Sequence, residues 1–121
     1  MSLRVGCLTV DAHDCRRLGA FWAAALDWTV VSDTDDGTYL VPKDVVGKDS
    51  IVPGLLLFPS SDSKPAKNRV HLDLRPDDQE AEIARLEALG ASRADIGQTG
   101  TEPWVVMADP EGNEFCVLAQ R

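Results

Sequence analysis

No apolar stretch in these 121 residues comes near the ~20 consecutive residues needed to cross a bilayer. The opening Met1-Ser2-Leu3-Arg4-Val5 has neither an apolar core nor a small-residue cleavage site. A membrane span and a secretory leader are therefore not expected, and the cytoplasm is the default address. Cations are scarce: 12 Lys+Arg stand against 20 Asp+Glu, a net charge of −8. Such a surface repels phosphate backbones and anionic headgroups, which argues against nucleic acid and membrane surfaces as partners. Cysteine is limited to Cys7, Cys15 and Cys116, an odd number with no zinc-finger or redox spacing. Reduced thiols are expected rather than a disulfide framework. Collagen-like and coiled-coil patterns are missing too. With 44% hydrophobic and 26% charged residues, the composition is that of an ordinary globular chain. A domain of this length buries roughly two-thirds of the surface its unfolded chain exposes, so a core needs neither disulfide nor metal.

What is present is a repeated grammar. A hydrophilic stretch from Pro59 to Asn68, with two prolines and three serines, predicts a linker. The halves on either side read alike. The first opens on Val5-Gly6-Cys7-Leu8-Thr9-Val10 and the second on Val70-His71-Leu72-Asp73-Leu74. In the second, strict alternation puts Val70, Leu72 and Leu74 on one face of a strand and His71 and Asp73 on the other. A helix follows each strand. Asp11 or Asp14 can cap the first, whose apolar stripe is Cys15, Leu18, Trp22 and Ala25-Leu26. Asp77 with Glu80 resembles a capping box for the second, which carries Ile83, Leu86 and Leu89 and stops at Gly90. Three short β segments complete each half: Trp28–Val31, Thr38–Val41 and Leu55–Phe58, then Ser92–Asp95, Trp104–Met107 and Glu114–Leu118. Asp109-Pro110-Glu111-Gly112-Asn113 predicts a turn between the last two. The expected organisation is one α+β domain over 1–121: module one about 3–58, a linker at 59–68 and module two about 69–121, each β-α-β-β-β.

At this point the chain resembles the vicinal oxygen chelate superfamily (the glyoxalase/bleomycin-resistance/extradiol-dioxygenase fold), and within it the small bacterial glyoxalase-like domains. The residues that carry the likeness are Phe21-Trp22 with Ala25-Leu26, Asn68 to Leu74, and Trp104 to Phe115 with its Asp-Pro-x-Gly-Asn turn followed by a glutamate. The resemblance implies two βαβββ modules whose sheets curl into a cup. It also implies a small-molecule ligand in the cup between the modules and pairing as a homodimer. In active members up to four side chains, one from the first and one from the last strand of each module, hold a divalent metal, an open Lewis-acid site.

On that pattern His71 and Glu114 fall on the ligand positions of module two, as candidate metal ligands and as a candidate catalytic pair. Imidazole and carboxylate suit zinc, nickel, manganese or iron. Module one offers Cys7 in the place of His71, and its last strand, Leu55 to Phe58, offers no carboxylate. The metal site is therefore incomplete by the family's pattern. Asp73 shares the face of His71, as an orienting group or a substitute ligand. Cys7, Thr9, Tyr39, Asp73 and Trp104 are candidate ligand contacts. Other roles stand beside these. His71 and Asp73 can simply line a wet sheet face, Glu114 can pair with Arg69 or Arg93, and Cys7 and Cys116 can be small apolar fillers. Cys15, Phe21 and Trp22 suit helix packing. The segment from Lys43 to Pro53 exceeds what a hairpin needs and is expected to border the cup. Three functions compete, in this order: a small-molecule-binding protein with an incomplete metal site; a lyase, isomerase or dioxygenase acting on a small carbonyl or vicinal-oxygen substrate through His71 and Glu114; and an interaction module with a degenerate cup.

Overall fold

In the computed structural model, which describes residues 3–48 and 51–121, each half of the chain folds as a strand, a helix and three further strands. The expected α+β class and the two βαβββ modules are what the chain adopts. Two units, Met1–Asp62 and Ser63–Arg121, part inside the hydrophilic stretch. The reading of the N-terminus at Met1 and Ser2 lies outside the described residues, as does the Asp49-Ser50 part of the long segment after Pro42.

Module one contains β1 (Cys7–Ala12), α1 (Cys15–Leu26), β2 (Trp28–Thr34), β3 (Gly37–Pro42), a single 3-10 turn at Lys43–Val45, and β4 (Gly54–Pro59). Its sheet runs β1-β4-β3-β2. β1 is parallel to β4 and the other pairs are antiparallel. Of the two candidate caps, Asp14 starts α1 by accepting from the Arg17 N–H at 3.1 Å. The helix buries Leu18, Phe21 and Trp22, and the sheet buries Leu40, Leu55 and Leu57. Phe21 and Trp22 meet edge to face, 5.1 Å between centroids. Gly19 lets the two layers approach, since a Cβ there would stand 2.6 Å from Thr38 Cγ2. Alternation along β1 leaves Cys7, Thr9 and Asp11 exposed and turns Leu8, Val10 and Ala12 inward.

Module two contains β5 (Asp73–Leu74), α2 (Gln79–Leu89), β6 (Ser92–Arg93), β7 (Val105–Ala108) and β8 (Glu114–Val117). Its order, β5-β8-β7-β6, repeats that of module one, with β5 parallel to β8. Ile83, Leu86, Val106, Met107, Phe115 and Val117 are buried. Two details differ from expectation. The cap of α2 is Asp78, which accepts from Ala81 N–H at 3.2 Å, not Asp77. The opening strand is two residues long rather than five, and ahead of it the chain is anchored to side chains at Asn68. Asn68 gives its backbone N–H to Glu114 and its side-chain amide to Asn113. Backbone pairing begins only where Cys116 N–H reaches Leu72 O at 2.9 Å. Gly90 ends α2 with a φ of 117°, a left-handed stop that glycine takes without strain. Among the described residues, no helix is long and apolar enough to cross a membrane.

Candidate functional site

The polar side chains of module two gather where β5 and β8 run side by side. His71 precedes β5 by two residues, so it shares a face with Asp73. Its Nε2 lies 3.2 Å from Asp73 Oδ1, with the two side chains 37% and 51% exposed. Asp73 stands directly across the parallel ladder from Cys116. One ligating atom from each of His71, Asp73 and Cys116 lies within 4.8 Å of the others. Burial pushes the Cys116 thiol up, and the charge and hydrogen bond of Asp73 push it further. A thiol raised in this way is a poor nucleophile at neutral pH.

Glu114 starts β8 but serves a different set of partners. Its Oε1 lies 2.6 Å from Lys64 Nζ, and its side chain is 9% exposed. The carboxylate also accepts the Asn68 backbone N–H at 3.1 Å. Burial alone would raise its pKa, but Lys64 and the Asn68 N–H outweigh that and hold it below the ordinary glutamate range. Asn68 is itself placed by the turn between β7 and β8. Its amide donates to Asn113 Oδ1 at 3.1 Å, and Asp109 Oδ1 accepts from the backbone N–H of Glu111 and of Asn113. The turn thus serves Glu114 through Asn68. Neither Arg69 nor Arg93 pairs with Glu114. Arg93 sits on β6, two strands from β8, whereas the hydrophilic segment carrying Lys64 enters the sheet beside it.

Among the described residues, module one has no equivalent cluster. Superposing the two ladders, Thr9 opposite Leu56 corresponds to Asp73 opposite Cys116, so Gly54 takes the position of Glu114 and Leu56 that of Cys116. A side chain at Gly54 has no room, because a Cβ there would collide with the phenol of Tyr39. Cys7 is exposed, with Sγ 3.7 Å from Thr9 Oγ1. Thr9 and Tyr39 are both paired with Leu56 across the sheet and share its face.

Of the residues singled out in sequence, His71 and Asp73 come together, and Cys7, Thr9 and Tyr39 share one face of module one. Glu114 is drawn off to Lys64. Trp104 stands just before β7 and is 43% exposed. Its loop is tied by Glu102, which accepts the N–H of Thr99 at 2.8 Å and of Gly100 at 2.9 Å. These bonds hold the Glu102 carboxyl at about 2. Sequence reasoning treated Cys116 as an apolar filler and Lys64 as part of a linker. Alternation did carry a signal for the first, since Glu114-x-Cys116 puts both on one face. Nothing in sequence marked Lys64.

A divalent metal held as the family pattern implies would draw on Cys7, Gly54, His71 and Glu114. That set does not fit: Gly54 has no ligand atom and no room for one, and Glu114 is committed to Lys64 and Asn68.

The comparisons with known proteins agree with the fold. The family model described as a glyoxalase-like domain matches residues 7–118. No curated protein sequence matches the chain. Among solved structures, a glyoxalase/bleomycin resistance protein/dioxygenase family enzyme from Burkholderia phytofirmans PsJN superposes with a TM-score of 0.70 at 15% identity, covering 95% of this chain and 97% of that one. A fosfomycin resistance protein, FosX, from Listeria monocytogenes, complexed with Mn(II) and 1S,2S-dihydroxypropylphosphonic acid, gives a TM-score of 0.69 at 13% identity, covering 100% and 92%. The trypanothione-dependent glyoxalase I of Leishmania major gives 0.63 at 18%, covering 98% and 87%.

Proposed function

The chain belongs to the glyoxalase-like domain family, and from that premise we propose that it is a small-molecule-binding member whose family metal site is incomplete. The observation that carries the reading is the engagement of Glu114 by Lys64 at 2.6 Å and by the Asn68 N–H. The proposed ligand seat in module two is His71 with Asp73. Both are open to solvent, and together they offer an imidazole and a carboxylate to a polar group. Trp104 offers an exposed aromatic surface for the apolar part of a ligand. On module one, Cys7, Thr9 and Tyr39 present a thiol, a hydroxyl and a phenol, and are proposed as ligand contacts of that face.

The alternative is a lyase, isomerase or dioxygenase using His71 and Glu114. It needs Glu114 free to accept a proton or a metal. The ion pair with Lys64 lowers its basicity and engages Oε1, which counts against that role. The fold hosts both FosX and a glyoxalase I, so fold alone favours neither reading.

The test uses the whole chain, stripped of metal with EDTA and screened against small polar aromatic compounds by ligand-observed NMR. Saturable binding that weakens at least about tenfold in His71→Ala and persists in Glu114→Gln supports the reading. Binding or turnover that survives His71→Ala and disappears in folded Glu114→Gln overturns it.

A further inference from the structure

The geometry points to a cation site that departs from the family's positions: His71, Asp73 and Cys116 form a three-ligand N, O, S set for a zinc-class divalent ion. The site goes beyond the small-molecule reading and does not depend on it.

Three features of the fold make the set. His71 and Asp73 are two residues apart on one face of the chain entering the sheet, with Nε2 and Oδ1 3.2 Å apart. The parallel register of β5 and β8 then brings Cys116 directly opposite Asp73. The three ligating atoms lie within 4.8 Å of one another. In a tetrahedral zinc shell, bonds of about 2.0–2.3 Å place ligand atoms roughly 3.3–3.8 Å apart. The His71–Asp73 pair, at 3.2 Å, stands within about 0.1 Å of that range, and the thiol needs to close by about 1.5 Å at most from 4.8 Å. Three protein ligands leave a fourth position open, the arrangement of sites that keep a water or a ligand on the metal.

Charge and ligand type both select the ion. A carboxylate in the set favours a cation, and a sulfur ligand favours zinc and cobalt over manganese or magnesium. Of the cations nearby, Lys64 is held by Glu114, while Lys67, which donates to the Asn68 carbonyl at 3.2 Å, lies close enough for its charge to favour the Cys116 thiolate that the metal needs. On binding, the Cys116 S–H gives its proton to solvent and the sulfur takes the metal in its place. Module one cannot form the counterpart, because Leu56 stands where Cys116 stands in module two.

The test is titration of the metal-free, reduced full chain with cobalt(II), followed by optical spectroscopy and calorimetry. One equivalent is expected to give a near-ultraviolet thiolate-to-cobalt absorption that zinc(II) displaces and manganese(II) does not. Cys116→Ser should abolish the absorption and weaken binding at least tenfold, and His71→Ala should weaken binding to a similar degree. Cys7→Ser and Cys15→Ser should keep both signals. Should Cys116→Ser fail to fold, Asp73→Asn carries the same expectation for affinity. Absorption lost in Cys7→Ser but kept in Cys116→Ser, or no saturable binding at millimolar cobalt, overturns the proposal. Because the ligand screen is run on stripped protein, failure here leaves the small-molecule reading intact, and the reverse holds too.

Discussion

The phenol of Tyr39 fills the space that a side chain at Gly54 would occupy. Gly54 is the module-one counterpart of Glu114, so this contact closes one of the family's ligand positions by steric means. Replacing Gly54 with Ala forces either the Tyr39 ring or the strand to move, and the expected loss is about 1–3 kcal/mol. Adding Tyr39→Ala to that variant should relieve the collision. The double mutant is then less destabilised than the sum of the singles, by at least about 0.5 kcal/mol. Denaturant unfolding of the four proteins checks this. Simple additivity would mean that the two residues do not meet.

Glu114 should behave as a structural carboxylate. Glu114→Gln and Lys64→Met are each expected to cost about 1–3 kcal/mol at neutral pH, the range for a hydrogen bond to a charged group in a poorly solvated place. The pH dependence follows from the direction of the shift. The carboxyl sits below its ordinary value of 4.5 in the folded chain, so at acid pH the native state binds fewer protons than the unfolded one. Its stabilisation is complete above about pH 4.5 and is lost as pH falls through the lower folded value. The stability gap between the native protein and Glu114→Gln should therefore narrow in acid. A gap that stays constant down to pH 2 would contradict the assignment.

The start of α2 gives a sharper local test. Asp78→Ala should lower stability by about 1 kcal/mol, because it removes the acceptor for the Ala81 N–H. Asp77→Ala should change it by less than about 0.5 kcal/mol. Thermal melts of the two variants distinguish them, and an equal loss would mean that the cap is shared.

The turn before β8 is expected to matter through Asn68. Asp109 is 4% exposed and accepts from Glu111 N–H, Asn113 N–H and the Asn113 amide. Asp109→Ala should cost about 2–4 kcal/mol by leaving those donors without their acceptor. It should also raise the Glu114 carboxyl toward its ordinary value by releasing Asn68. A large stability loss with an unmoved Glu114 would make the turn purely local.

The sequence showed the fold where the signal was local. The cap at Asp14 and the stripe of Leu18 and Trp22 mark α1, and the two halves repeat the same order of elements. β5 was overestimated because alternation in Val70 to Leu74 reports side-chain faces and not backbone partners. The partners of Asn68 turned out to be the side chains of Glu114 and Asn113. His71 and Asp73 were legible as a pair because they sit two residues apart on a strand-like segment. For Cys116, alternation gave only the face it shares with Glu114, since its place beside His71 and Asp73 depends on the register between β5 and β8. The Lys64 ion pair was hidden for a similar reason: a lysine among serines and prolines reads as solvated, and only the path of the chain brings it to Glu114. The loss of the module-one position to Tyr39 also depends on packing that no spacing encodes.

The most direct test of the account is carbon-13 NMR of the side-chain carboxyls while zinc(II) is titrated into the metal-free protein. The account predicts that the Asp73 carboxyl signal moves with one equivalent while the Glu114 carboxyl keeps its position and its low titration point, still paired with Lys64. A zinc-dependent shift of Glu114, with Asp73 unmoved, would contradict it and return the metal to the family's own positions.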